Sequence, residues 1–365
     1  MFSKFRNFIS RHKRKFIFTG VVFAAGGVAL HYARKKLLEF QESQAKEFME
    51  KTRRIQHFES TERTCNQAIH NLYSSVLEAV AKLYNTKIIL QELRERAKEL
   101  TTTQKIDLWD QLLTKSFTRI VTLVYSLTLL VISLRVQVNI LAGYIYKEID
   151  KVEKNCSQDI QNNYLSFIQH FIKDGIRDLA LIIRNNTERV LRKYDLKQQL
   201  TLAELEQIFW SIQMAVNYEI EHSEEKNLAK ILLPPEDPQG NEFLQKMLSE
   251  AVDMLETDEV FSIVTHHVGL GFSAITDEVA NFFSSTTTKT LNNNVEILNE
   301  AKDSSVSLLN ISQVKVALAK LIPIIDGLVP QTVNEKPFTT NVLNFLINSD
   351  KIKMLGANTY EVFCQ

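Results

Sequence analysis

The run QKIDLWDQLLTKSFTRIVTLVYSLTLLVISLRVQVNILAGYIY, Gln104 to Tyr146, decides the fold class. It follows three threonines, Thr101 to Thr103, whose hydroxyls suit the unpaired amides of a first helical turn, and Asp107 lies where the positive end of the helix dipole favours it. No proline or glycine interrupts it before Gly143, and no charged residue occurs between Arg119 and Arg135. A helix apolar on every side must be buried on every side, in lipid or in protein. The uncharged run falls short of the roughly 20 residues that cross a hydrocarbon core. Extending it brings in Arg135, Gln137 and Asn139, each costly at membrane depth. The spacing therefore predicts one long helix at the centre of a helical bundle.

Composition agrees. Among 365 residues there are only 10 glycines and 6 prolines, which favours helices over a sandwich or barrel. No period-2 alternation persists, so the expectation is all-α. Formal charge is zero, so no global field points to nucleic acid. Cys65, Cys156 and Cys364 are odd in number and far apart, which fits reduced thiols in the cytosol better than a disulfide framework or a metal site.

The first 38 residues carry no acidic side chain. Basic residues, among them Arg11, Lys13, Arg14 and Lys15, precede an apolar block from Phe16 to Leu30, extended by His31, Tyr32 and Ala33. The expected division is a short basic tail (1–15), a retained single-pass membrane anchor (16–33) and an elongated all-helical domain (34–365). The positive-inside tendency alone would leave the N-terminus in the cytosol, whereas the cysteines place the larger domain there. Residue physics leaves that orientation open.

Between 34 and 100 the pattern predicts helices over 33–62, 66–82 and a shorter stretch containing Ile88 to Ala97. Ile160 to Tyr194 reads as one long helix, and Thr201-Leu202-Ala203-Glu204 as a capping box opening a helix to about Glu221. Charged and proline-rich sequence near 223–241, and Ser/Thr/Asn-rich sequence near 284–294, read as flexible loops. A helix break is expected at Gly269 to Gly271, and Pro323 should kink or end a helix over 314–325.

Chemistry-bearing motifs are missing: CxxC, HExxH, GxSxG, Walker and GxGxxG patterns do not occur. His266 and His267 point about 100° apart on a helix and do not clamp one metal. Glu59 and Glu62 read as a solvated acidic face rather than paired catalytic carboxylates. The chain is therefore expected to be no enzyme and to need no cofactor. Interaction surfaces remain. Trp109, with Lys105, Leu112, Leu113 and Phe117 within two turns, is either a core tryptophan or the anchor of a groove that receives a partner's amphipathic helix.

Several stretches have a familiar look: Arg11 to Lys15 before the apolar block, HFESTERTCN (57–66), SFTR (116–119) and LRVQVNILAGYIY (134–146). YLSFIQHFIKDG (164–175), LAKLIPIIDG (318–327) and ANTYEVF (357–363) follow in order. In these the chain resembles the peroxisomal biogenesis factor 3, or peroxin-3, family. The resemblance implies a single-pass peroxisomal membrane protein with its N-terminus in the organelle and a helical domain in the cytosol, needed for assembly of the peroxisomal membrane. It also implies a docking receptor for peroxin-19, the carrier of newly made peroxisomal membrane proteins. The docking residues carried over are Trp109, Lys105 four residues before it, Leu112 and, on the preceding helix, Leu93. A tethered scaffold for inheritance or autophagy adaptors, and a lipid-handling protein, are the alternatives.

Overall fold

A computed structural model describes residues 2–151, 155–223, 227–236, 240–295, 314–329 and 337–364, with side chains omitted at 2–30, 33 and 284–295. The chain divides into two compact units, Met1–Glu59 and Ser60–Gln365. Helix α1 covers Phe2–Leu83, so the helices expected separately over 33–62 and 66–82 are one. The basic side chains Arg11, Lys13, Arg14 and Lys15, and most of the expected anchor 16–33, lie outside the residues whose side chains are described.

The second unit is organised around α3, Thr102–Lys147. Thr101 accepts a hydrogen bond from the Gln104 amide while the Gln104 side chain accepts from the Thr101 amide, a complete capping box. Every residue from Ser116 to Gly143 is buried. Among the described residues α3 is the one helix long and apolar enough to cross a bilayer, and its apolar window is wholly enclosed by protein. Around it pack α6 (Ile176–Leu191), α9 (Glu242–Leu255), α10 (Asp258–Val295), α11 (Leu318–Leu328), α12 (Pro337–Asn348) and α13 (Asp350–Cys364). Each enclosed leucine or isoleucine contributes about 1.5–3 kcal/mol relative to exposure.

The two arginines that bound the uncharged run are both buried and both paired. Arg119 donates to Asp326 at 3.0 Å and to the Val329 carbonyl at 3.2 Å, and Thr86 donates to the second Asp326 oxygen at 3.1 Å. Arg135 donates to Glu62 at 2.5 Å, to Asn66 at 2.7 Å and to the Ile347 carbonyl at 3.3 Å. Glu62 is therefore an interior ion-pair partner and not part of a solvated face.

Several local expectations are corrected by packing. The helix foreseen over 160–194 is interrupted: α4 (Gln158–Ser166) and the single turn α5 (Ile168–His170) lead into a π-helical turn at Phe171–Gly175 before α6 begins. A Cβ on Gly175 would lie 2.0 Å from the Ile231 carbonyl oxygen, so the backbones meet there. Ile231 belongs to α8, Leu228–Leu232, inside the segment expected to be a flexible loop. Leu228, Ala229, Ile231, Leu232 and Leu233 are buried, and this apolar content outweighs the flanking charge and proline. The second expected loop, 284–294, is helical backbone within α10. Gly269 and Gly271 do not break α10 either; a Cβ on Gly271 would lie 2.5 Å from Val124 Cγ1, so this glycine permits close approach to α3. Pro323 sits inside α11, which runs on to Leu328. Two-residue strands β1 (Gln199–Leu200) and β2 (Val316–Ala317) pair antiparallel, too short to show a period in sequence.

Candidate partner-docking surface

The region around Trp109 comprises two helices and the short connection between them. Helix α2 (Lys87–Glu95) is strongly amphipathic: Ile89 is buried, Leu90 and Leu93 pack partly buried against the core, and Ile88 is 65% exposed. A tight connection follows in which Leu100 is buried. The capping box then launches α3, whose first two turns are only partly covered.

In those turns Lys105, Leu108 and Trp109 are half-buried and Ile106 is exposed. Trp109 is neither sealed in the core nor free of it; its ring packs against the core while part of it meets solvent. Leu112, Leu113 and Phe117, foreseen as groove lining, are fully inside at 0%, 3% and 0% exposure. They form the floor beneath Trp109 rather than its rim, because positions i+3, i+4 and i+8 continue the side of α3 that enters the bundle. Phe117 stacks on Phe209 at 5.3 Å, and Phe209 meets Phe272 at 5.4 Å, which locks this floor to α7 (Leu202–His222) and to α10.

Electrostatically the turn is mixed. Asp110 next to the tryptophan has its carboxyl pushed up, first by desolvation and then by the nearby charges of Asp107 and Asp195. Asp110, Gln111, Thr114 and Lys115 also line a polar cleft of about 520 Å³ that reaches Arg184 and Glu188 on α6. The arrangement is suited to binding: an aromatic anchor on a rigid apolar base, a cation one turn earlier, and a polar margin.

The peroxin-3 family model matches residues 7–105, 94–148 and 144–360, nearly the whole chain. Peroxisomal biogenesis factor 3 of Rattus norvegicus is 32% identical over 378 residues, covering 98% of this chain and 96% of the rat protein. The Homo sapiens protein of that name is also 32% identical, over 379 residues with the same coverage. Peroxisome biogenesis protein 3-1 of Arabidopsis thaliana is 28% identical over 220 residues, covering 53% of this chain and 59% of its own length.

This chain belongs to the peroxin-3 family.

As a peroxin-3 it stands among peroxisome biogenesis factors, a family not named for any enzymatic activity. Its matched segment 94–148 contains Lys105, Trp109, Leu112, Leu113 and Phe117, while Leu93 falls within the segment 7–105. Sequence reasoning passed over Ile106, Leu108 and Leu90, which lie on the same two helices as Leu93 and Trp109. The signal for Ile106 was present, since it lies off the buried stripe of its helix, where a solvated helix carries polar residues; Leu108 and Leu90 sit on the stripes that pack against the core and gave no such signal.

Proposed function

We propose that the surface formed by α2 and the first two turns of α3 is the docking site for peroxin-19, and that the protein serves as its receptor on the peroxisomal membrane. The observation that carries this reading is the half-buried Trp109, with Lys105 one turn before it and a fixed floor of Leu112, Leu113 and Phe117. A disordered N-terminal region of the carrier folds into an amphipathic helix, lays its apolar side chains against Trp109 and Leu93, and places an acceptor near Lys105. The ordering cost falls on the peptide, because the floor is already packed. Membrane lipid is the second partner, through residues 16–33 with Arg11, Lys13, Arg14 and Lys15 at one edge; cargo membrane proteins are met indirectly, on the carrier. The function is binding, without catalysis or cofactor.

Truncating an interfacial tryptophan anchor costs about 2 kcal/mol or more, so Trp109→Ala is expected to weaken docking roughly thirtyfold. Titration calorimetry with the carrier's N-terminal peptide checks this, and an unchanged affinity in a folded variant would refute the reading. The topology that goes with it places the N-terminal tail inside the organelle and the second unit in the cytosol. Protease treatment of intact organelles carrying tags at both ends is expected to spare the N-terminal tag and remove the C-terminal one; the opposite pattern would put the site out of the carrier's reach.

A further inference from the structure

Helix α7 is apolar on both of its faces. Leu205, Ile208, Phe209, Ile212, Val216 and Ile220 face the core and are buried. On the opposite side Trp210, Met214 and Tyr218 stand at i, i+4 and i+8, exposed to 55%, 49% and 64%. Burial of the inner face explains the first set and leaves the second exposed; within it Tyr218 stacks on His222, one turn further along the same helix, at 4.2 Å. Tryptophan, methionine and tyrosine are the residue types enriched where proteins bind one another and are a poor choice for a solvated helix face.

The ends of this ridge are acidic. Glu206 lies one turn before Trp210 and Glu221 one turn after Tyr218, both exposed; α7 contains no lysine or arginine, and its one histidine, His222, lies 4.0 Å from the Glu221 carboxylate. Glu204 and Glu219 are otherwise engaged, the first in the capping box and the second as acceptor from Asn186 at 2.6 Å. At a rise of 1.5 Å per residue, Glu206 and Glu221 are separated by about 22 Å along the helix. An aromatic side chain presents about 150–250 Å² in all, so three residues exposed to roughly half offer about 300 Å². That is well below the roughly 800 Å² per partner of a stable dimer, and it fits one face of a single helix.

We propose that the Trp210–Met214–Tyr218 ridge is a second docking surface, distinct in its residues from the one around Trp109, and that its partner is a cationic amphipathic helix. The partner carries a three-turn apolar stripe with a lysine or arginine at each end, spaced to meet Glu206 and Glu221. The acidic ends select against anionic helices and against an anionic bilayer surface.

The chain contains two tryptophans, so Trp109→Phe leaves Trp210 as the sole indole reporter. The full-length Trp109→Phe protein in phosphatidylcholine vesicles is titrated with a tryptophan-free 16-residue helix bearing leucines at i, i+4 and i+8 and a lysine at each end. The expected result is a blue shift of Trp210 emission that saturates. The Glu206→Lys/Glu221→Lys protein should bind at least tenfold more weakly, Met214→Arg should abolish the shift, and an isomeric peptide with glutamates at its ends should give none. Circular dichroism confirms that these exposed-site variants remain folded. Equal binding of the glutamate isomer, a shift surviving Met214→Arg, or no shift with the lysine peptide overturns the proposal. So does a blue shift that grows with protein density in the absence of peptide, which assigns the ridge to a second copy. None of these outcomes depends on whether Trp109 docks a carrier.

Discussion

At the level of single residues, position within the bundle rather than residue type sets what each side chain does. The two tryptophans illustrate this: Trp109 is half held by the core and Trp210 is over half exposed, although both sit on helices rich in apolar residues. His267 shows the inverse. It is buried, its Nδ1–H donates to the Ile263 carbonyl at 2.7 Å and its Nε2 accepts from the Ser349 hydroxyl at 2.6 Å. Burial holds its pKa below the usual imidazole value; the Ile263 bond opposes this, and His266 and Lys351 add to the lowering. Because the folded pKa is the depressed one, the unfolded chain takes up a proton first as pH falls. Stability is intact above about pH 6.5 and declines below it, by at most about 1.4 kcal/mol per pH unit for one proton. His57 is shifted the same way, by burial and Arg53, so the decline is shared. His267→Gln is expected to melt lower than wild type at pH 7.5, with the gap narrowing by pH 5. Melting curves that stay parallel across that range would show that His267 does not carry the effect.

At the level of elements, close approach between helices decides where the chain bends and where it does not. Glycines at 269 and 271 read in sequence as a break, yet α10 passes through both. A Cβ at Gly271 would fall 2.5 Å from Val124 Cγ1, whereas one at Gly269 would make ordinary contact with Gln213 Oε1 at 3.5 Å. Alanine is favoured over glycine by about 0.5–1 kcal/mol inside a helix, and overpacking a core costs about 1–3 kcal/mol. Gly269→Ala should therefore be neutral or stabilising and Gly271→Ala destabilising, as read from urea unfolding midpoints; similar midpoints for the two would mean that α3 and α10 do not meet so closely. Both capping boxes, at Thr101 and Thr201, are local signatures of residue order: the threonines before Gln104 mark the start of α3, and Thr201 with Glu204 marks that of α7. The helix α8 and the π turn were not recognisable. Each depends on a backbone contact between Gly175 and Ile231, 56 residues apart, that no local pattern records.

At the level of the whole molecule, the second unit holds its own core. Its centre is closed by α3 and by two buried ion pairs, Arg119 with Asp326 and Arg135 with Glu62, both within residues 60–365. A fragment spanning 60–365 is expected to be soluble without detergent, strongly helical by circular dichroism, and to lose its helicity in one transition. Solubility only in detergent would show that α3 needs lipid. The fold class, the central helix, the lack of catalytic motifs and the family were all determined by sequence, because an uninterrupted apolar run, few glycines and ordered family segments are local or colinear properties. Tertiary structure decided what encloses that run, which leucines lie beneath Trp109 rather than beside it, and which face of α7 stays exposed. Those questions turn on what packs against each helix, and hydrophobic spacing states only that a face must be covered, never by what.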